Sequence, residues 1–246
     1  MRRDEALKFV DRFVPEMFPG ADTVLVCGST ARDEAKATSD IDLVVIYEKL
    51  PRGAWRLTES HDGTLVEAFV HDLETLLFFL ERARPSALPI LARMVAEGIP
   101  LAGLPSRCLA SAKALATGII SAGPPAKDSV AFAHARYTIS SLADDLTDAR
   151  SRHHRLAIAA SLYSALSDFV LRAGGDFSGA GKGLAVALET HEPALAARFD
   201  TAFASLFADG DAGPIQHLVD DALAPHGGRL VDGYRAEAPA DWRRKE

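Results

Sequence analysis

The chain has 246 residues, 48% of them apolar and 25% charged, with a formal net charge of −7 at pH 7. That length suits one large domain or two small ones, and the composition is that of an ordinary soluble globular protein. The acidic balance argues against a general nucleic-acid binder, which needs a basic face to meet phosphates. Cys27 and Cys108 are the two cysteines, far apart, and they form neither a metal motif nor a disulfide framework. Cys27, inside an apolar run, reads as a buried free thiol. The opening Met1-Arg2-Arg3-Asp4-Glu5 has no hydrophobic stretch behind it, which predicts no signal peptide. No apolar run reads as long enough to span a bilayer. A reducing cytoplasm is the expected setting.

In chain order, residues 4 to 18 predict an amphipathic helix with Leu7, Val10, Phe13 and Met17 on one stripe, ended by Pro19-Gly20. A strand is expected over 22–27, a short helix from Ser29, and a second strand over 41–47. Pro51-Arg52-Gly53 marks a turn. A third strand over 55–60 meets a tight turn at His61-Asp62-Gly63, since Asp-Gly favours the positive φ of hairpins. The fourth strand, Thr64 to His71, carries Leu65, Glu67, Phe69 and His71 on one face. Asp72 is placed to cap a helix from Leu73 to Glu81. Another helix near 86–97 ends at Gly98, a candidate C-cap.

Near residue 100 the composition turns Ala- and Leu-rich with helical spacing almost throughout. Helices are expected near 106–121, 128–150, 154–173, 182–190, 193–208 and 213–223. Glycine and proline breaks fall between them. Phe199, Phe203 and Leu206 repeat at helical spacing and read as core. The tail, with Ala238-Pro239-Ala240 and Arg243-Arg244-Lys245, is expected to fray. The predicted class is α+β: a mixed sheet with flanking helices over residues 1–103, then an all-α bundle over 104–246.

The chemistry concentrates in the first half. Asp40 and Asp42 stand one residue apart at the edge of the apolar run Ile41-Leu43-Val44-Val45-Ile46, so in a strand both carboxylates leave the same face. Two acids that close repel, and hard divalent cations such as magnesium relieve them. Glu67 lies in the otherwise apolar run Leu65-Val66-Glu67-Ala68-Phe69. A lone carboxylate there needs a partner, and the Asp40/Asp42 strand is its natural source if the two strands are neighbours. Three such carboxylates would hold two magnesium ions, or leave one free as a general base. Gly28 lets a phosphate approach the backbone closely. Ser29 opens a helix whose amides favour an anion.

The assembled pattern is Gly28-Ser29, ten residues, Asp40-Ile41-Asp42-Leu43, then Glu67 on a later strand. It resembles the nucleotidyltransferase superfamily of polymerase-β-like folds. The stretch from Gly28-Ser29-Thr30-Ala31-Arg32 through Ser39-Asp40-Ile41-Asp42-Leu43-Val44-Val45 is similar to its small bacterial branch, which includes aminoglycoside adenylyltransferases and minimal nucleotidyltransferases. The resemblance implies that Gly28 and Ser29 bind the triphosphate and that Asp40 and Asp42 bind two Mg2+ ions. Glu67 would be either a metal ligand or the base for the acceptor hydroxyl. Arg32 matches an arginine after the Gly-Ser turn. Many small members carry glycine next, where this chain has Asp33. ATP is the implied donor, and the acceptor is either a small molecule such as an aminoglycoside or a protein hydroxyl. A non-catalytic nucleotide- or partner-binding module is the alternative from another class.

Further residues carry double readings. Ser39 either orients Asp40 or closes a turn. Lys182, in Gly179-Ala180-Gly181-Lys182-Gly183, either reaches across to the phosphates or is an exposed lysine at a helix start; the run lacks P-loop spacing. Arg150, Arg152, His153, His154 and Arg155 form a basic spot, and Asp144, Asp145 and Asp148 an acidic stripe. Each reads as a solvated helix surface before it reads as a binding wall.

Overall fold

The structure, a computed structural model, describes residues 3–36 and 38–238. The chain divides into two compact units, Met1–Gly123 and Pro124–Glu246.

The first unit is an α+β layer structure. Helix α1 (Arg3–Met17) buries Ala6, Phe9, Val10, Phe13 and Val14. Strand β1 (Thr23–Cys27) leads through the single turn α2 (Gly28–Ala31) to β2 (Ile41–Ile46). The hairpin β3 (Trp55–His61) and β4 (Thr64–His71) follows, then α3 (Leu73–Ala83), α4 (Ile90–Glu97), β5 (Ile99–Pro100) and α5 (Leu109–Ala122). The sheet order is β3-β4-β2-β1-β5. β2 pairs antiparallel with β1 and parallel with β4. The parallel pair arises because β3 intervenes as the outer strand of a hairpin. Its turn places Asp62 (φ 48°) and Gly63 (φ 76°) in the left-handed region, as a two-residue Asp-Gly turn requires.

The pleat sorts side chains onto two faces. Val24, Val26, Ile41, Leu43, Val45, Val66, Ala68 and Val70 pack under α1. Leu25, Cys27, Val44 and Ile46 pack on the other face against Leu76, Leu80, Ala92, Val95, Ala112 and Ala116 of α3, α4 and α5. Central β2 is buried on both faces, which is why it reads as a continuous apolar run.

Two acids fasten the helices. Asp72 caps α3: its Oδ1 accepts the Thr75 amide at 2.8 Å, and Thr75 Oγ1 accepts the Asp72 amide at 3.0 Å. Asp22, beside β1, accepts the amides of Cys108 (2.7 Å) and Arg107 (3.1 Å) at the start of α5. Burial alone would raise the Asp22 pKa, but hydrogen bonds from Cys108, Thr23 and Arg107 outweigh it and hold the carboxylate below its ordinary value. These bonds, with Ala112 and Ala116 in the core beneath the sheet, tie α5 to the first unit. The compact unit therefore runs past residue 103, where the change in composition placed the boundary, to Gly123.

The second unit is helical. It comprises α6 (Ser129–Thr147), α7 (Arg152–Ala173), α8 (Lys182–His191), α9 (Pro193–Asp209) and α10 (Gly213–Leu223). Their core gathers Ile139, Leu162, Leu166, Phe169, Leu188, Phe199, Phe203, Leu206, Ile215 and Leu218. Asp128 and Ser151 cap α6 and α7 through the amides of Ala131 and His154. Contrary to the expectation from sequence, α7 is long and apolar enough to cross a membrane. Its Ala159, Leu162, Leu166, Phe169 and Leu171 are buried in the bundle, which accounts for that composition. Beyond α10 the chain returns along α6. Arg136 donates to the carbonyls of Gly227 and Gly228, Arg229 bonds Asp220 and Asp144, and Tyr234 stacks on Tyr137 at 4.0 Å. The end of the tail, 239–246, lies outside the described residues.

Candidate metal and nucleotide site

The register of the sheet assembles the acids. In the parallel pair, Asp42 of β2 stands opposite Glu67 of β4. Asp40, two residues before Asp42, projects to the same face. One ligand oxygen from each of Asp40, Asp42 and Glu67 lies within 4.8 Å of the others, and all three residues are half-buried. Oxygen donors in that number and at that separation suit a hard divalent cation. They occupy the part of the lower face that α3, α4 and α5 leave open. Farther along the same side of β4, His71 is already buried.

Gly28 completes the cradle. Cys27 pairs with Asp42, so the chain turns away from the sheet directly beside that carboxylate. Gly28 has φ +63°, and a Cβ there would fall 2.0 Å from Asp42 Oδ2. The close approach that makes glycine necessary is thus to the aspartate itself, a contact that the sequence, read for an incoming phosphate, did not show. Ser29 follows in a helix of four residues. One turn has little macrodipole, and what it offers an anion is the amides of its first residues, which have no partner within the helix.

Arg3 braces this turn. Its guanidinium donates to the carbonyls of Thr30 (3.3 Å) and Ala31 (2.8 Å). Nothing in the local sequence announces that role, because the contact spans 27 residues. Arg32 is exposed and bonds Glu34 Oε2 at 2.8 Å, with Glu97 at 4.0 Å. Asp33 adopts φ +62°, the left-handed geometry for which glycine is the usual residue. Ser39 Oγ accepts the Lys36 amide at 2.9 Å, so its hydroxyl closes the turn before Asp40. Lys182 is exposed at the first residue of α8, in the second unit.

Glu67 has a cationic partner that the sequence did not reveal: Arg56 of β3, 2.6 Å away. Cys27 is buried, and burial together with the Asp42 charge pushes its thiol up to about 12, so it stays protonated and unreactive beside the acids. Lys113 of α5 donates to the carbonyls of Ala96 and Gly98 at the end of α4. Gly98 is a C-cap without positive φ. Its missing side chain matters because a Cβ would meet Met94 O at 2.6 Å and Leu25 Cβ at 2.9 Å.

Comparison with known proteins places this geometry. Residues 5–84 match the family model of the nucleotidyltransferase domain. No curated protein matches the chain. Among solved structures, a nucleotidyltransferase-like protein from Exiguobacterium sibiricum 255-15 is similar at 13% identity. It covers 89% of this chain and 72% of its own, with a TM-score of 0.41. The segment matched to the nucleotidyltransferase domain, residues 5–84, runs from α1 through α3 and contains the Gly28 turn and all three carboxylates.

Proposed function

We propose that the protein is a metal-dependent nucleotidyltransferase that moves AMP from ATP to a hydroxyl of a small-molecule acceptor, an aminoglycoside being one example, in the cytoplasm. The observation that carries it is the convergence of Asp40, Asp42 and Glu67 beside Gly28 within the family's domain. Asp40 and Asp42 would hold Mg2+, with Glu67 either sharing that duty or serving the acceptor. When bound, the ion neutralises phosphate charge and polarises the phosphoryl oxygens. The amides of the Gly28-Ser29 turn meet the triphosphate. The acceptor hydroxyl gives up its proton to a carboxylate, for which Glu67 is the candidate, and its oxygen bonds the α-phosphorus. The bridging P–O bond then breaks and pyrophosphate leaves.

Calorimetric titration with ATP, with and without Mg2+, tests this on wild type and on an Asp40→Ala/Asp42→Ala double variant. Magnesium-dependent binding that the double variant lacks is expected, followed by pyrophosphate release in an acceptor screen. Binding indifferent to both metal and mutation would leave a nucleotide- or partner-binding module in place of an enzyme. A protein acceptor would appear as incorporation of label from ATP into protein when small-molecule acceptors give no turnover.

A further inference from the structure

The β3–β4 register sets Arg56 opposite Phe69 and Thr58 opposite Glu67, so Arg56 stands diagonally across from Glu67 on the open face of the hairpin. Its guanidinium Nη2 is 2.6 Å from Glu67 Oε2, and its Cζ lies 4.8 Å from the centre of the Phe69 ring. A charge-assisted hydrogen bond and a cation–π contact thus hold the same side chain. Its other neighbours on this face of the hairpin are Thr58, Ser60 and Leu65, which carry no charge, and His71, which is buried. One divalent ion can take ligands from Asp40 and Asp42 without Glu67. A second ion would have to share Glu67 with a resident cation, against like-charge repulsion.

We propose that Arg56 is a positioning residue that competes with metal for Glu67, so that Asp40 and Asp42 carry the first divalent ion and Glu67 is reserved for the acceptor hydroxyl. This rests on the metal site proposed above. It divides labour among three acids that proximity alone leaves equivalent.

The test is a Mn2+ titration of the full chain without nucleotide, with free Mn2+ followed by electron paramagnetic resonance. Wild type is expected to bind one Mn2+ strongly. Arg56→Gln is expected to bind it about tenfold more tightly or to admit a second ion of similar affinity. Arg56→Lys, which keeps the charge, is expected to retain the wild-type stoichiometry. In a Glu67→Gln background, Arg56→Gln is expected to change nothing, because the contested carboxylate is gone. Arg56 is half exposed on an edge strand, and circular dichroism establishes that each variant is folded. Wild-type Mn2+ binding in Arg56→Gln, or an effect that survives in the Glu67→Gln background, overturns the role of Arg56 and leaves the metal site standing. No Mn2+ binding by wild type, with Asp42→Asn indistinguishable from it, overturns the metal site and Arg56's role with it.

Discussion

The two faces of the N-terminal sheet are built from alternate residues of the same strands and do opposite work. On the face under α1, Ile41, Leu43 and Val45 of β2 and Val66, Ala68 and Val70 of β4 are all buried. On the other face, β2 presents Asp42, Val44 and Ile46, and β4 presents Glu67, Phe69 and His71. Only the Val44, Ile46 and His71 end is covered. A period of two lets one strand close a core and display charges at once. The helix-covered end supplies rigidity, and the open end supplies the site. Carboxylates on β2 and β4 are thus held by strands whose other sides are locked in a core, the kind of support a site needs to keep its geometry.

Substitutions on the two faces should separate activity from stability. The largest effect is expected from Asp42→Asn: loss of about 10^3-fold in turnover, with a melting curve close to wild type, checked by pyrophosphate release and by thermal unfolding. Leu43→Ala, one residue along and on the opposite face, should do the reverse. It should cost roughly 2–5 kcal/mol of stability in a urea titration and leave Mn2+ affinity unchanged in the folded protein.

His71 sharpens the comparison along a single face. It shares the Glu67 side of β4 but is buried, and burial pushes its pKa down to about 4 against the opposing pull of Asp72. The unfolded chain protonates this histidine below about pH 6.5, whereas the folded chain does so only near pH 4. The N-terminal unit should therefore be at full stability above about pH 6.5 and lose about 3 kcal/mol as the pH falls to 4. His71→Phe should flatten that profile in urea titrations across the range. Below pH 4 a further loss is expected as Asp22 and Asp72, both held under their ordinary pKa, take up protons.

The smallest effect is expected from Gly28→Ala. A methyl there meets Asp42 Oδ2 in a left-handed backbone. Asp42 must swing aside, weakening Mn2+ binding about tenfold, while backbone strain costs about 1 kcal/mol. Calorimetry checks the first and a melting curve the second.

Much of this site was legible before the fold was known. The alternation in Asp40-Ile41-Asp42-Leu43 dictates a shared face for the acids, and the Asp62-Gly63 turn forces the hairpin that delivers Glu67. Asp72 signals its helix because its capping partner, Thr75, is three residues away. These features depend on backbone geometry over a few residues, which the local sequence carries.

What only the tertiary structure decided lies in contacts between distant residues. Glu67 needs a counter-charge, but whether it comes from a cation shared with the acids of β2 or from Arg56 depends on the strand register. Helix α5 has the Ala-rich pattern of the bundle, yet Asp22, 86 residues upstream of Cys108, captures its first amide and joins it to the sheet. Gly28 is conspicuous in sequence, but the atom that a side chain there would meet belongs to Asp42, across a strand pair. Periodicity and turn chemistry select which residues face inward. Which neighbour each of them meets is set by packing, where burial and satisfied charge across long sequence separations decide among arrangements that are locally equivalent.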